Sequence, residues 1–259
     1  MCVRLLRLFA TDMNNFVEKP NLPENNVKRV ITGQLPESVR NELEKYNMEI
    51  IECEVNPLIN NSLSYHADIQ FIHLGKNRLL VSENQEKVLK TLDKYGFETE
   101  LFSLKSGEYP YDCAVNAAFF GKNVICKFDI LDDKLKKYIK GNNYNIINVN
   151  QGYSKCSVCV VNENSVITED ESVKNACIKN GIDVLLIHKG FVKLKDFEYG
   201  FIGGATFKAN NNTLFFIGRV ENHPDYLKIK EFLNKKRIEC ISLGDTELTD
   251  VGSIIPINE

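Results

Sequence analysis

Few residues of this sequence suit covalent chemistry, and two short segments gather most of them. His66-Ala67-Asp68 sets an imidazole and a carboxylate two residues apart, on one face if the segment is extended. An imidazole ionises near neutrality and passes protons in both directions, and a carboxylate beside it holds positive charge. The sequence has four histidines, His66, His73, His188 and His223, and only His66 begins one of the apolar hairpins described below. Further on, Ser154-Lys155-Cys156-Ser157-Val158-Cys159-Val160 supplies two thiols in a C-x-x-C spacing. A thiolate is a nucleophile or a metal ligand. A zinc site needs two more ligands at suitable spacing, and none is evident. In an extended segment the two thiols also point to opposite faces, which argues against a shared metal or a redox pair. Residue type alone leaves structural alternatives open: a histidine that caps a strand, a cysteine that is one of eight small buried hydrophobes and, at Asp250, a turn carboxylate.

The elements that must position these residues repeat. Five apolar segments align: HADIQFI from His66, DCAVNAAFF from Asp112, KCSVCVV from Lys155, IGGATF from Ile202 and VGSIIPI from Val251. A polar turn follows each of the first four: Gly75-Lys76-Asn77, Gly121-Lys122-Asn123, Asn162-Glu163-Asn164 and Asn210-Asn211-Asn212. Gly and Asn tolerate the positive φ that tight hairpins require. Second strands come next (RLLVS, VICKF, SVITE, TLFFIG), then a helix, then third strands (FETELFSL, YNIINVN, DVLLIH, IECISLG). In the first copy Ser82 and Gln85 have the spacing of a capping box, and Val88, Leu89 and Leu92 fall at helical spacing. The equivalent helices are 132–139, 171–179 and 224–235.

The fifth copy is split. VGSIIPI supplies one strand, while VKRVITG, a helix over 36–46 and MEIIECEV supply the rest near the start of the sequence. The two parts must meet, which closes a ring and leaves no free repeat edge. The expectation is an α/β protein: a five-bladed ring of pseudo-symmetric β-β-α-β repeats, an α/β-propeller, forming one domain. Residues 26–65 with 245–259 make the split unit, and 66–111, 112–153, 154–201 and 202–244 the complete ones.

Composition narrows the function. With 259 residues, 43% of them hydrophobic, and fifteen Phe, the chain can fill a sizeable core. The net charge of −3 and the lack of a basic block exclude nucleic acid as the main ligand. No apolar run reaches the length of a membrane span. Residues 1–10 (MCVRLLRLFA) lack the cleavage site of a secretory signal and read as a terminal strand or helix packed on the body. Scattered cysteines without a dense framework fit a reducing, cytoplasmic setting. No phosphate loop or dinucleotide fingerprint is present, so no cofactor is expected.

Five β-β-α-β units in a ring of this length resemble the pentein, or guanidino-modifying enzyme, superfamily, and the resemblance covers the chain from about residue 26 onward. That superfamily includes arginine and agmatine deiminases, amidinotransferases and dimethylarginine dimethylaminohydrolases, and a non-enzymatic ribosome-binding branch. His66-Ala67-Asp68 resembles the H-x-D motif of the deiminases, which implies His66 as acid/base and Asp68 as the carboxylate pairing with a guanidinium. The segment 154–160 resembles the T-C-C-S-V-L-I segment of animal dimethylarginine dimethylaminohydrolases, which implies Cys156 as nucleophile. Asp250-Val251-Gly252-Ser253 resembles an acid-G-G-D segment one repeat before the histidine, which implies Asp250 as the group that orients His66. That order implies a circularly permuted chain. Asn116, Ser157, Gly203, Gly204 and Ser253 fall at comparable axis-lining positions and are the expected substrate contacts.

Two departures stand out. Without permutation the family's nucleophile position falls in VGSIIPI, which has no Cys, and the repeat holding Gly203-Gly204 lacks its two acids. The resemblance implies a Cys-dependent hydrolase or transferase acting on a small guanidine or amidine bound at the ring axis, with no nucleic acid or membrane partner. The alternative is a non-catalytic binding protein on the same ring.

Overall fold

Apolar strand pairs alternating with helical-period stretches produce five sheets of three strands each. The structure, a computed structural model, describes residues 15–59 and 62–259; the expectation for residues 1–10 lies outside them. Strand β1 (Arg29–Thr32) pairs in parallel with β2 (Glu49–Glu52) and antiparallel with a strand from the other end of the chain, Ile254–Asn258. The same order recurs in β3 (Phe71–Gly75), β4 (Arg78–Ser82) and β5 (Glu98–Phe102). It recurs again in β6 (Ala118–Phe120), β7 (Asn123–Cys126) and β8 (Asn145–Asn148), and in β9 (Val158–Asn162), β10 (Ser165–Thr168) and β11 (Asp183–Leu186). The last complete sheet is β12 (Thr206–Asn210), β13 (Thr213–Arg219) and β14 (Glu239–Glu247), after which Ile254–Asn258 forms β15. In every sheet an inner antiparallel hairpin is extended by an outer parallel strand, and the split unit obeys the same rule as the complete ones.

A parallel step needs a crossover, and a helix supplies it each time. The five are α1 (Glu37–Lys45), α2 (Glu86–Lys94), α3 (Asp133–Gly141), α4 (Glu171–Lys179) and α5 (Tyr226–Asn234). Each buries one i, i+4 pair: Val39 and Leu43, Val88 and Leu92, Leu135 and Ile139, Val173 and Cys177, Ile229 and Leu233. These pairs seat the helices in five separate apolar clusters, and each cluster joins two neighbouring blades. Ile31, Ile255 and Ile257 of the split blade pack with Phe71, Leu79 and Leu92 of the next. On its other side Val30 and Ile254 pack with Phe207, Phe215 and Ile217. Five interfaces for five blades close the ring.

Two local expectations are corrected. Ser82 is not a cap; it ends β4, fully buried, and its Oγ has no hydrogen-bond partner. Helix α2 starts three residues later, after Gln85, whose side chain binds the backbone N–H and C=O of Glu54 at 2.8 Å each. Asp132 and Asp170 do cap their helices, accepting from backbone N–H groups at 2.7–3.0 Å. The inner strands also begin later than the alternation suggests. HADIQ and SKCS are not extended: Ala67–Gln70 and Ser154–Ser157 are single helical turns, and the strands follow them. Among the described residues no helix is long and apolar enough to cross a membrane.

Closure through β15 gives a direct expectation. Deleting residues 254–259 removes an inner strand that two clusters share, and the remaining chain is expected to lose its cooperative thermal transition. Leu227→Ala, at a side chain 76% exposed, is expected to shift stability by less than about 0.5 kcal/mol. Calorimetry of the two variants checks both.

Candidate active site

Each residue expected to form the site sits on the turn leading into an inner strand. His66 precedes the helical turn before β3, and Cys156 lies inside the turn before β9. Asn116 comes two residues before β6, Gly203 and Gly204 just before β12, and Asp250 and Ser253 just before β15. The turns converge on the ring axis, so that Asp68 and Ser253, 185 positions apart in sequence, are hydrogen-bonded. Asn116 ties three of the turns together. Its Nδ2 donates to the Asp68 carbonyl at 3.1 Å and lies 3.3 Å from Cys156 Sγ, and its Oδ1 accepts from the Lys155 N–H at 2.7 Å. The glycine pair makes room for this convergence. A Cβ on Gly203 would overlap the backbone of 155–158, and one on Gly204 would overlap the Asp250 carboxylate.

At the centre Asp68 Oδ2 accepts from Cys156 Sγ at 3.0 Å and from Ser253 Oγ at 2.6 Å. Lys155 Nζ donates to Ser253 Oγ at 3.1 Å. A buried ammonium thus reaches the Asp68 carboxylate through one hydroxyl. Ser253 holds its place at φ +67, a conformation that costs a non-glycine residue about 1–3 kcal/mol. His66, Asp68 and Cys156 are all nearly inaccessible, and each offers a ligand-type atom within 4.8 Å of the other two. Nitrogen, oxygen and sulfur donors of this kind suit zinc. Among the described residues this trio is the set able to hold a metal, a grouping that the C-x-x-C argument did not anticipate. Cys159 belongs instead to β9 and packs in an apolar cluster, where burial pushes its thiol up to about 11.

Charge sets the state of this cluster. Burial first, then the Asp68 and Asp250 carboxylates, push the Cys156 thiol well above the ordinary thiol range. The resting side chain is therefore a protonated thiol donating to Asp68. Burial also raises the Asp250 carboxyl, with His66 opposing and Asp68 reinforcing the shift. Asp250 does not hydrogen-bond to His66. Its oxygens accept from the backbone N–H groups of Phe201 and Gly252, both at 2.9 Å, so it acts on His66 through charge. Gly252, at φ +73, leaves no space for a Cβ against the His66 ring. His66 Nδ1 and Asp68 Oδ1 are buried without any hydrogen-bond partner. Such orphaned atoms are uncommon in protein interiors and costly to keep.

A cavity of about 250 Å³ opens onto these groups. Cys156, His66 and Asp250 form its buried end, and Tyr153, Tyr199 and Phe201 its aromatic wall. Asp68 and Lys155 border a separate void of about 20 Å³, while Asn116, Ser157, Gly203, Gly204 and Ser253 touch neither space. An adjoining cleft of about 310 Å³ shares His66 and Asp250. A further hollow of about 690 Å³ is an open asparagine-lined groove near Asn210–Asn212 that holds none of these groups. Sequence reasoning missed Lys155, because lysine is seldom buried and its partner lies 98 residues away. It also missed the loop that supplies Phe197, Glu198, Tyr199 and Phe201. The signal there was an aromatic-rich stretch between β11 and β12 that matches no repeat element.

The profile of a family described as "Family of unknown function (DUF6873)" matches residues 30–255. No curated protein matches. Solved structures do. An amidinotransferase of the saxitoxin biosynthetic pathway from Microseira wollei is 10% identical, with a TM-score of 0.57 over 90% of this chain and 92% of that one. The inosamine-phosphate amidinotransferase from Streptomyces griseus is 11% identical, with a TM-score of 0.57 over 94% and 96%. DDAH from Pseudomonas aeruginosa, solved with citrulline, is 9% identical, with a TM-score of 0.55 over 86% and 93%. At such identities the likeness shows the fold, which is the pentein fold.

Two outcomes follow from the electrostatics of the cluster. Asp68→Asn removes the nearest negative charge from the thiol, lowers its pKa and is expected to speed alkylation of Cys156 near pH 8 by about tenfold for each unit of fall. Peptide-resolved mass spectrometry reads the rate. Lys155→Met leaves Ser253 Oγ without its charged donor and is expected to cost about 1–3 kcal/mol, measured by denaturant unfolding.

Proposed function

We propose that this chain, which belongs to the DUF6873 family of unknown function, is a Cys-dependent hydrolase or transferase acting on a small guanidine or amidine cation. The observation that carries the reading is a buried thiol facing a carboxylate, with an imidazole within 4.8 Å, at the closed end of a cavity in a pentein ring. The cluster holds two carboxyl groups: Asp250 lines the cavity, and Asp68, with one oxygen free of partners, stands behind the thiol.

The resting thiol is a poor nucleophile, and the substrate supplies what it lacks. A guanidinium placed in the cavity at Cys156 and Asp250, with Asp68 behind the thiol, offsets the charges that hold the proton on Cys156. With the proton passed to His66 or Asp68, the thiolate forms a bond to the guanidinium carbon. The C–N bond to the departing amine then breaks as His66 delivers a proton to that nitrogen. The product is a covalent S-thiouronium on Cys156. A water deprotonated by His66 attacks the same carbon, the C–S bond breaks, and a urea-type product leaves with the thiol restored. In a transferase an amine takes the place of water. Asp250, fixed by two backbone donors, stands beside the imidazole, and Asn116 holds the Cys156 turn in register.

A second reading is favoured by one observation: the thiol proton is already hydrogen-bonded to Asp68, as suits a site that binds a cation without chemistry. Turnover separates the two. Purified protein is assayed against a panel of guanidines for released ammonia or amine. Turnover is expected, with Cys156→Ala reducing kcat by at least about 1000-fold while the thermal transition is preserved. Undiminished turnover by Cys156→Ala contradicts the covalent assignment. Binding without turnover by the native protein supports the second reading.

A further inference from the structure

The cavity outside the reacting groups has a composition of its own. Two of its lining residues are carboxylates, Asp250 at the buried end and Glu198 at the exposed end, and none is Lys or Arg. Between them lie Tyr153, Tyr199 and Phe201, whose rings form a chain: Tyr153 to Phe201 at 6.5 Å and Phe201 to Tyr199 at 6.2 Å between centroids. Phe197, 43% exposed, stands beside Glu198 at the mouth. Of the loop's three lysines, Lys189, Lys193 and Lys195, none lines this cavity, and Lys195 lines the adjoining cleft.

Resting on the guanidine reading above, we propose that the substrate is a dication without a carboxylate. Its guanidinium or amidinium lies at Cys156 and Asp250, a short apolar linker lies on Tyr153 and Phe201, and an ammonium lies at Glu198 between Phe197 and Tyr199. An ammonium is attracted by a carboxylate and by the faces of aromatic rings together. A carboxylate on the linker would enter a confined, aromatic-walled space lined by two carboxyl side chains, with no Lys or Arg to pair with it. About 250 Å³ fits a molecule of roughly ten heavy atoms, which leaves room for a linker of several carbons.

The test uses three probes of nearly one size: agmatine, which carries a guanidinium and an ammonium; arginine, which adds a carboxylate; and butylguanidine, which lacks the ammonium. Each is titrated by calorimetry into Cys156→Ser, in which turnover is blocked, with Asn116→Ala in the native chain as a check that the pocket rather than the thiol turn decides the ranking. Agmatine is expected to bind at least about tenfold more tightly than arginine. Glu198→Gln is expected to bring agmatine down to the affinity of butylguanidine and leave butylguanidine unchanged. Arginine binding as tightly as agmatine, or an agmatine preference that survives Glu198→Gln, overturns the dication proposal and leaves the guanidine reading standing. Binding by none of the three, with a normal thermal transition in both variants, overturns the guanidine reading and this proposal with it.

Discussion

Two carboxyl groups buried at the ring axis are the constraint on which the site depends. Asp68 and Asp250 are buried there, and the nearby ammonium of Lys155 reaches Asp68 only through Ser253 Oγ. Removing carboxylates from water is costly unless hydrogen bonds and counter-charges compensate. Asp250 is compensated by two backbone donors and by the His66 ring beside it. Asp68 is compensated on one oxygen and orphaned on the other. The thiol answers that charge by keeping its proton. On the proposed reading the site takes a cation, and the thiol keeps its proton until one arrives.

The ring exists to hold those carboxyl groups in place. No single blade could bury these groups, because each supplies one short turn to the axis. The turns stay fixed because the blades behind them share five apolar interfaces, each filled by a crossover helix through one i, i+4 pair. Gly204 and Gly252 then permit contacts that any side chain would prevent, against Asp250 and His66 respectively. The strained φ of Ser253 belongs to the same economy of space: its hydroxyl must reach both Lys155 and Asp68. Interface packing is the stabilising term, and the axis draws on it.

Much of this was legible in the sequence. The five repeats, the hairpin turns, the helices and the split unit follow from periodicity and turn chemistry, since half-buried strands and amphipathic helices write their period into the chain. The starts of the inner strands were not legible. HADIQ and SKCS are buried on every side, and a segment buried all round carries no period to separate a helical turn from a strand. At the site, His66, Asp68, Cys156 and Asp250 were named from the motifs they resemble. The structure brings the first three together and sets Asp250 beside His66 without a hydrogen bond. Asn116, Ser157, Gly203, Gly204 and Ser253, expected to touch substrate, border neither the 250 Å³ cavity nor the 20 Å³ void beside it. Lys155 and the aromatic loop could not be found by repeat logic, because one breaks the habit of its residue type and the other lies outside the repeat.

The sharpest measurement compares two alkylating agents on the native protein: chloroacetamidine, a cation, and chloroacetamide, its neutral counterpart. Peptide mass spectrometry follows each cysteine separately. If a dormant thiol is set among buried carboxyl groups, Cys156 reacts faster with the cation than with the neutral reagent, by at least about tenfold beyond the ratio shown by an ordinary thiol. Cys126 and Cys177, raised chiefly by burial with no carboxylate hydrogen-bonded to the thiol, do not share the preference. Equal rates at Cys156, or a cation preference displayed at another cysteine, would contradict a cation-triggered nucleophile at the ring axis.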